Sequence, residues 1–430
     1  MKPRPESPLA VRILTLGCKV NQHESACLLE GLLESPNFRG AGPSEAADLC
    51  IVNTCAVTRR AEADSRRLIG RARRQGARVI AAGCAVEADP SLGEGCELAV
   101  GNASKPGLAA RLRGLEAPGH GGWPVASRFQ GRARATLKVQ DGCNSGCAYC
   151  IVPRLRGRSR SLPREEIVAE VERLAGLGFS EAVLCAIHLG AYGADLRPPT
   201  TLAALLRDVT ASARTLGLRV RLSSLEPQEA LELLPLLASP AVCRHLHVSL
   251  QSGSDRVLAR MRRRYPAQIF RELVLAASEA APGLAIGCDV IAGFPGETEE
   301  EFSATYGLLE ALPVSYLHVF PFSPRPGTLA ATMPAQVPAA QRRRRAAALR
   351  DLSARKRKTF FQAQVGSLAE VVVQGRDRVS GLHKGLTDNY VPVLIDLGGA
   401  SSGSKDVRPG GLMRVRAERV VDSRLIATPL

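Results

Sequence analysis

The sequence predicts an α/β chain with an amino-terminal parallel-sheet domain, a central partial (βα)6 barrel and a small carboxy-terminal β-barrel. Three observations lead there. Strand-like and helix-like patterns alternate in two long stretches, a linker-like composition separates those stretches, and strand-like segments with Gly-rich turns follow a long basic helix. At 430 residues the chain is too long for one hydrophobic core.

In the first stretch, residues 11–16 read as a strand and Glu24 to Leu33 carry apolar residues at helical spacing. Residues 49–52 form the next strand, 61–74 the next helix and 77–82 the strand after it. This βαβαβ order implies a parallel sheet whose ligands lie beyond the carboxyl ends of its strands. Ala117 to Pro124, rich in Gly and Pro, reads as the linker, which sets the first domain at 1–122. The second domain, 129–360, has strands expected at 136–139, 182–187, 219–222, 245–250, 286–291 and 316–320. Helices at 164–175 and 266–279 fall between them, and repeated βα units place chemistry at the strand carboxyl ends. A helix over 341–364 carries Arg342 to Arg345 and Arg355 to Lys358. Strand-like runs at 369–373 and 391–395 assign 363–430 to a small β-barrel.

Hydrophobic residues make up 45% of the chain, yet no apolar stretch approaches the ~20 residues that span a bilayer, and the charged start Met1-Lys2-Pro3-Arg4 leads into no signal-type run. A cytoplasmic protein with no membrane partner is expected. The net charge of +16 comes from 57 Lys and Arg against 41 Asp and Glu, and Arg dominates. Such an excess points to a polyanion such as nucleic acid, whose phosphates suit the planar Arg fork. Mutational bias toward Ala, Arg, Gly and Leu is the competing account. Twelve cysteines in a cytoplasmic chain point to metal or redox chemistry rather than a disulfide framework.

Cys143, Cys147 and Cys150 form a C-x3-C-x2-C run directly after a strand. Structural zinc sites usually pair C-x2-C units to supply four ligands, whereas this run supplies three thiolates. Iron–sulfur clusters normally take four, so three leave one iron open to an exchangeable ligand. Zinc and coincidence remain the alternatives. Cys18, Cys55 and Cys84 each follow a strand of the expected parallel sheet, so their thiols should converge at one edge. Against this stands burial of three cysteines as small hydrophobes. Cys27, Cys50, Cys96, Cys185, Cys243 and Cys288 lack such placement and read as structural.

The C-x3-C-x2-C loop, with Tyr149 inside it, resembles the radical S-adenosylmethionine superfamily. Over essentially the whole chain the sequence resembles the methylthiotransferases within it, through Gly17-Cys18-Lys19-Val20-Asn21-Gln22, Asn53-Thr54-Cys55-Ala56-Val57-Thr58 and Gly142-Cys143 to Cys150. Arg221 to Pro227, His247 to Ser254 and Gly293 to Thr298 carry the likeness further. The resemblance implies two [4Fe-4S] clusters, held by Cys143, Cys147 and Cys150 and by Cys18, Cys55 and Cys84. The first, with S-adenosyl-L-methionine on its open iron, would generate a 5′-deoxyadenosyl radical. The second would carry the sulfur that is methylated and inserted. The resemblance also implies tRNA as substrate, an electron donor such as flavodoxin or ferredoxin, and a carboxy-terminal RNA-binding barrel of the TRAM type.

Carried over by motif, the residues expected at S-adenosylmethionine are Tyr149, Ser249, Gln251, Asp289, Gly293, Pro295 and Gly296, with the glycines' service to a tight turn as the alternative. Three branches of the family act on isopentenyladenosine in tRNA, on threonylcarbamoyladenosine in tRNA, and on an aspartate of a ribosomal protein. Leu16 to Gln22, Ile187 to Gly193 and His318 to Ser323 look most like the threonylcarbamoyladenosine branch. Arg154, Arg156, Arg158 and His188 are the candidates for pairing with the carboxylate of that substrate, although the Arg-rich stretch also fits a solvated loop. A non-catalytic iron–sulfur regulator that binds RNA is the reading from another class. It leaves the three-cysteine loop unexplained, because a sensor needs no open iron.

Overall fold

The computed structural model describes residues 7–42, 44–115, 126, 133–398 and 407–430. The linker expected at Ala117 to Pro124, the domain limits at 122 and 129 and the charged amino terminus lie outside these residues. Two compact units emerge: Met1–Gln130 with Gln140–Leu162 and Ser323–Ala331, and Gly131–Val139 with Pro163–Phe322 and Thr332–Leu430.

The first unit opens with β1 (Leu9–Thr15), α1 (Lys19–Leu33), β2 (Phe38–Gly40), β3 (Leu49–Thr54), α2 (Arg59–Arg74), β4 (Arg78–Gly83), α3 (Cys84–Ala88), β5 (Leu98–Val100) and α4 (Leu108–Leu112). The strands form one parallel sheet in the order β2-β1-β3-β4-β5. Side chains alternate across it. Leu49 and Ile51 of β3 pack with Leu28, Leu29 and Leu32 of α1, while Cys50 and Val52 pack on the other face with Ile69 and Ala72 of α2. Helix α2 starts where the Thr58 hydroxyl accepts from the Ala61 N–H, with Arg71, Arg73 and Arg74 against its carboxyl end. Sequence reasoning missed β2 and β5, short edge strands whose runs are too brief to show alternation. It also began α1 late, because Lys19 to His23 is polar apart from Val20; the helix in fact starts immediately after Cys18.

β6 (Ala135–Asp141) carries the chain from the second unit back into the first, followed by α5 (Val152–Arg156) and β7 (Arg160–Ser161). The last residues of β6 pair antiparallel with β7, Gln140 with Ser161 and Asp141 with Arg160. Ile151 and Leu155 enter the same core as Cys84 and Val86, so the loop between β6 and β7 is anchored in the first unit.

The second unit continues with α6 (Arg164–Gly176), β8 (Glu181–Ala186), α7 (Leu202–Thr215), β9 (Arg219–Leu222), α8 (Pro227–Leu237), β10 (His245–Gln251), α9 (Asp255–Arg260), α10 (Ala267–Ala280), β11 (Ala285–Ala292), α11 (Glu299–Ala311) and β12 (Tyr316–Pro321). The order β6-β8-β9 continues through isolated parallel bridges, Val220 to Val242 and Leu225 to Val248, into β10-β11-β12. This is the expected six-stranded partial barrel, with each strand within a residue or two of its expected place.

After the short helix α12 (Leu329–Thr332), α13 (Ala339–Gln362) is the expected long basic helix, but its Arg run is not a uniform solvent face. Arg345 is among the largest fully buried side chains and pairs with Glu297 at 2.7 Å. Beyond it β13 (Leu368–Arg376), β14 (His383–Thr387), β15 (Pro392–Ile395), β16 (Leu412–Val421) and β17 (Arg424–Pro429) close into a barrel, filled by Val371, Val373, Val393, Ile395 and Val415. Its seat on the partial barrel is polar. Glu181, fully buried, pairs with Arg219 and Arg221, whose remaining donors reach the carbonyls of Glu370, Leu386, Thr387 and Asp388. Among the described residues no helix is long and apolar enough to cross a membrane.

Candidate metal centres and their surroundings

Cys18, Cys55 and Cys84 stand at the carboxyl ends of the adjacent parallel strands β1, β3 and β4. Cys18 is the residue before α1, Cys55 follows the last residue of β3, and Cys84 opens α3. The register aligns Thr15 with Asn53 and Thr54 with Gly83, which brings these ends level. Gly17, at φ +88°, lets the chain turn beneath Cys55: a Cβ there would stand 2.7 Å from the Cys55 Sγ.

A buried polar network fixes the three ends. The Asn21 amide donates to the carbonyls of Leu16 and Thr54 at 2.8 and 3.0 Å, and the Asn53 amide donates to the Asn21 carbonyl and the Ser25 hydroxyl at 3.0 and 2.9 Å. The Thr54 hydroxyl donates to the Ala82 carbonyl at 2.7 Å and accepts from the Ala85 N–H at 3.1 Å. Asn102 points its amide toward the Cys84 Sγ at 3.5 Å and bonds the Leu155 carbonyl at 2.8 Å. None of the three cysteines is in a disulfide.

Desolvation pushes the Cys55 thiol up to about 11, with Cys84 and Cys18 adding to the rise and Arg156 opposing it. The Cys18 thiol is also raised by desolvation although part of the residue reaches solvent, and there Arg156 is the strongest opposing influence, whereas at Cys55 the Val57 N–H opposes the rise more than Arg156 does. Three cysteines on level, hydrogen-bonded strand ends are a soft donor set that suits a soft metal centre, since coordination takes the thiolate form. The residues therefore fit an iron–sulfur centre.

Cys143, Cys147 and Cys150 lie half-buried on the loop between β6 and α5. Gly142, at φ +71°, starts it, and a Cβ there would meet the Arg158 carbonyl oxygen at 2.0 Å, so only glycine allows the loop to close. The Cys143 N–H bonds the Gly157 carbonyl at 3.1 Å, the Ser159 N–H bonds the Asn144 side chain at 3.0 Å, and Gln140 spans the Gly142 carbonyl and the Ser159 hydroxyl at 2.7 and 2.8 Å. The Ser145 N–H points at the Cys143 Sγ at 3.3 Å, as a donor to a thiolate would. This short closed loop presents three thiols, with Tyr149 half-buried among them.

Of the four residues expected to meet a substrate carboxylate, Arg154 and Arg158 are exposed. Arg156 is not: its side chain is 1% exposed, and it binds Asp141, Glu24 and Asn21. A guanidinium saturated by two carboxylates has no charge left to offer a third, which corrects the expectation for Arg156. His188 sits 2.7 Å from Glu229 and 3.7 Å from Glu226, surroundings that repel an added carboxylate.

In the second unit Ser249 and Gln251 lie on β10, where the register shifts between Val248 and Gln251 and Gln251 takes φ +67°. Asp289 of β11 accepts from His247 of β10 at 2.9 Å, and His318 of β12 stands 3.6 Å away. His247 in turn meets the Tyr316 hydroxyl at 3.1 Å, which lies 2.7 Å from His245. Burial works against the Asp289 carboxylate, but the bonds from His247 and His318 outweigh it and hold its pKa well below the usual range. The three ligand atoms of His247, Asp289 and His318 lie within 4.8 Å of one another.

The glycines of Gly293-Phe294-Pro295-Gly296 have φ +74° and +73° and build a tight turn. The Gly293 N–H donates to Glu297 at 2.7 Å, and a Cβ on Gly293 would strike Arg342 at 2.4 Å. Their service to the turn thus has a geometric basis.

Sequence reasoning missed Lys105 and Asp141, buried, and Glu24, half-buried, which pair with one another and with Arg156 near the first set. Asn21, Asn53 and Asp141 stood inside or beside the cysteine motifs, and a buried polar residue beside a candidate ligand was the available signal.

A family model described as "Radical SAM superfamily" matches residues 137–309, and one described as "Uncharacterized protein family UPF0004" matches residues 10–95. The chain is 34% identical over 406 residues to "Threonylcarbamoyladenosine tRNA methylthiotransferase MtaB" of Bacillus subtilis (strain 168), covering 88% of this chain and 89% of the relative. It is 35% identical over 399 residues to "tRNA-2-methylthio-N(6)-dimethylallyladenosine synthase" of Pelotomaculum thermopropionicum, covering 86% and 88%. Among solved structures, the radical S-adenosylmethionine methyltransferase TsrM from Kitasatospora setae, with cobalamin and a [4Fe-4S] cluster bound, aligns with a TM-score of 0.53. That alignment has 19% identity and covers 75% of this chain and 74% of TsrM, a likeness of fold.

Proposed function

Because the chain belongs to the radical S-adenosylmethionine methylthiotransferase family, we propose that it methylthiolates N6-threonylcarbamoyladenosine at position 37 of the tRNA anticodon loop. The observation that carries this reading is the pair of three-cysteine sets, each mounted on glycine-turned strand ends within one unit. Each set offers the donors for one [4Fe-4S] cluster. When bound, the clusters and S-adenosyl-L-methionine supply the radical and the inserted sulfur.

The chain's own residues prepare that chemistry. Cys143, Cys147 and Cys150 would hold one cluster and, being three, would leave room for S-adenosylmethionine to bind it. Cys18, Cys55 and Cys84 would hold the other, and Asn21, Asn53 and Thr54 keep the strand ends from spreading. Ser249, Gln251, Asp289 and the Gly293 to Gly296 turn line the carboxyl ends of barrel strands, where ligands of βα barrels sit. Exclusion of water by the barrel protects a reactive radical from quenching.

Phosphate contacts come from exposed basic groups: Arg154 and Arg158, Arg343, Arg344 and Arg357 on α13, and Arg414, Arg416 and Arg419 along β16. The compartment is the cytoplasm, where a small electron-transfer protein such as flavodoxin or ferredoxin would be the electron donor. Curated relatives of the threonylcarbamoyladenosine type and of the dimethylallyladenosine type have nearly the same identity to this chain. The choice between substrates therefore rests on the motif wording around Cys18, His188 and His318.

The deciding experiment is mass spectrometry of tRNA nucleosides from a strain lacking the gene, with and without complementation. Loss of 2-methylthio-threonylcarbamoyladenosine and its return on complementation is expected. Loss of the isopentenyl derivative instead would move the chain to the other branch.

A further inference from the structure

Arg156 is buried and its guanidinium is held by several acceptors of the first unit. It ends α5, six residues after Cys150, and its guanidinium is 1% exposed. One nitrogen, Nη1, donates to both oxygens of Asp141 at 2.9 and 3.1 Å and to Glu24 at 2.9 Å. The other, Nη2, donates to Asn21 at 2.6 Å and to Glu24 at 3.2 Å.

Asp141 is two residues before Cys143, whereas Asn21 and Glu24 follow Cys18 on α1. One planar fork therefore clamps the segment entering the C-x3-C-x2-C loop to the helix that Cys18 opens. Its charge also stands close to the amino-terminal thiols: Asn21, which it bonds, lies three residues after Cys18 and bonds the Thr54 carbonyl beside Cys55 at 3.0 Å, and Asn102 joins the carbonyl of Leu155, the neighbour of Arg156, to the Cys84 Sγ at 2.8 and 3.5 Å.

The local charges make this more than a clamp. Arg156 and Lys105 face Glu24 and Asp141, which balances before any thiolate is counted. Three thiolates, and each electron added to a centre they hold, then bring negative charge into a desolvated region. Charge–charge interactions there are strong and weakly screened by salt.

We infer that Arg156 is the electrostatic positioning residue of the amino-terminal centre, setting that centre's reduction potential while tying its edge to the radical-cluster loop. The inference rests on the proposal that Cys18, Cys55 and Cys84 hold a cluster. A role in structure alone would alter folding or iron retention. A role of the charge moves the potential with a sign fixed by the charge removed.

The test uses the full-length, anaerobically reconstituted enzyme, with iron and sulfide counted per chain and both clusters titrated by electron paramagnetic resonance. The cluster whose signal changes on adding S-adenosylmethionine is the radical cluster, and the other is the amino-terminal one. Arg156→Gln should make the amino-terminal cluster harder to reduce by at least tenfold in the one-electron equilibrium, a fall of about 59 mV. Glu24→Gln, which removes a negative charge beside the same guanidinium, should shift it the opposite way, and Arg156→Lys should restore most of the wild-type value.

An iron-replete Arg156→Gln with an unmoved potential, or shifts of the same sign in Arg156→Gln and Glu24→Gln, would overturn the inference. If Arg156→Gln loses the amino-terminal iron, retention at near wild-type potential in Arg156→Lys supports it, and loss in both overturns it. A wild-type chain that binds only one cluster fails at an earlier and separate point, the two-cluster reading itself, and takes this inference with it.

Discussion

The Cys55 Sγ rests directly against the backbone of Gly17, so that a Cβ at that glycine would lie 2.7 Å from the sulfur. Gly17 also holds φ +88°, where a side chain is strained whatever the space. Gly17→Ala should therefore displace the Cys55 thiol and lower the iron bound by the amino-terminal set, leaving S-adenosylmethionine cleavage by the other set in place. Iron and sulfide assays beside 5′-deoxyadenosine measurement check this. Full iron content in Gly17→Ala would show that the close approach is relaxed once the cluster binds.

The two cysteine sets make separate demands, which gives a reciprocal prediction. Replacing Cys143, Cys147 and Cys150 by Ala should abolish 5′-deoxyadenosine formation and spare the amino-terminal iron. Replacing Cys18, Cys55 and Cys84 by Ala should spare cleavage and abolish methylthio transfer. Normal methylthiolated product from the second variant would end the two-site scheme.

What was legible in the sequence follows from the range of each signal. The succession of the longer strands, the longest helices and the position of Cys18, Cys55 and Cys84 after strands were readable because period, turn residues and motif spacing are local. The short strands β2 and β5 carry no period, and so they were missed. Arg156 was expected at the substrate and the burial of Arg345 was not foreseen for another reason: an Arg in a basic run looks accessible until its carboxylates are known. Those carboxylates lie 132 residues away for Glu24 and 48 for Glu297. Burial of charge depends on partners that only the fold supplies.

Arg345 and Glu297 pair at 2.7 Å with both side chains 1% exposed. Burial raises the Glu297 carboxyl, and the Gly293 N–H and Arg345 oppose that rise. Removing one partner leaves an uncompensated buried charge, which costs about 3–5 kcal/mol. Arg345→Met should thus destabilise the second unit by about that amount in urea denaturation, while the exposed Arg343→Gln should change stability by under about 0.5 kcal/mol. Equal effects from the two would contradict the burial of Arg345.

The seat of the carboxy-terminal barrel is pH-sensitive through Glu181. Burial favours its neutral form, but Arg221, Arg219 and Arg134 overcome this and hold its pKa at about 2, below its ordinary 4.5. A depressed carboxylate pKa contributes stability that is full above the unfolded value and is lost as pH falls toward the folded one. The melting temperature of the wild type should therefore drop more steeply between about pH 5 and 3 than that of Glu181→Gln, which starts lower because two buried Arg lose their partner. Parallel declines would remove Glu181 from the acid response.

The last prediction concerns how RNA is held and which adenosine is chosen. Deleting the barrel would strip Arg219 and Arg221 of their carbonyl partners, so point variants are the cleaner probe. Arg414→Gln with Arg416→Gln, on the exposed face of β16, should weaken tRNA binding and reduce the salt slope by ~0.7 for each phosphate left without its cation. Substrate choice should respond to different residues. Threonylcarbamoyl carries a carboxylate and a hydroxyl, isopentenyl is a neutral hydrocarbon, and a donor left unpaired by the second costs ~1–3 kcal/mol, more if charged. Arg156 is saturated and His188 stands among carboxylates, which leaves Arg154 and Arg158, both exposed, of the four candidates. Arg154→Gln or Arg158→Gln should raise KM for threonylcarbamoyladenosine tRNA about tenfold or more, with 5′-deoxyadenosine formation from S-adenosylmethionine alone unchanged. If neither variant alters KM while the substrate preference stands, the carboxylate is recognised by other groups. If the enzyme methylthiolates isopentenyladenosine equally well, the branch is wrong and the methylthiotransferase assignment survives.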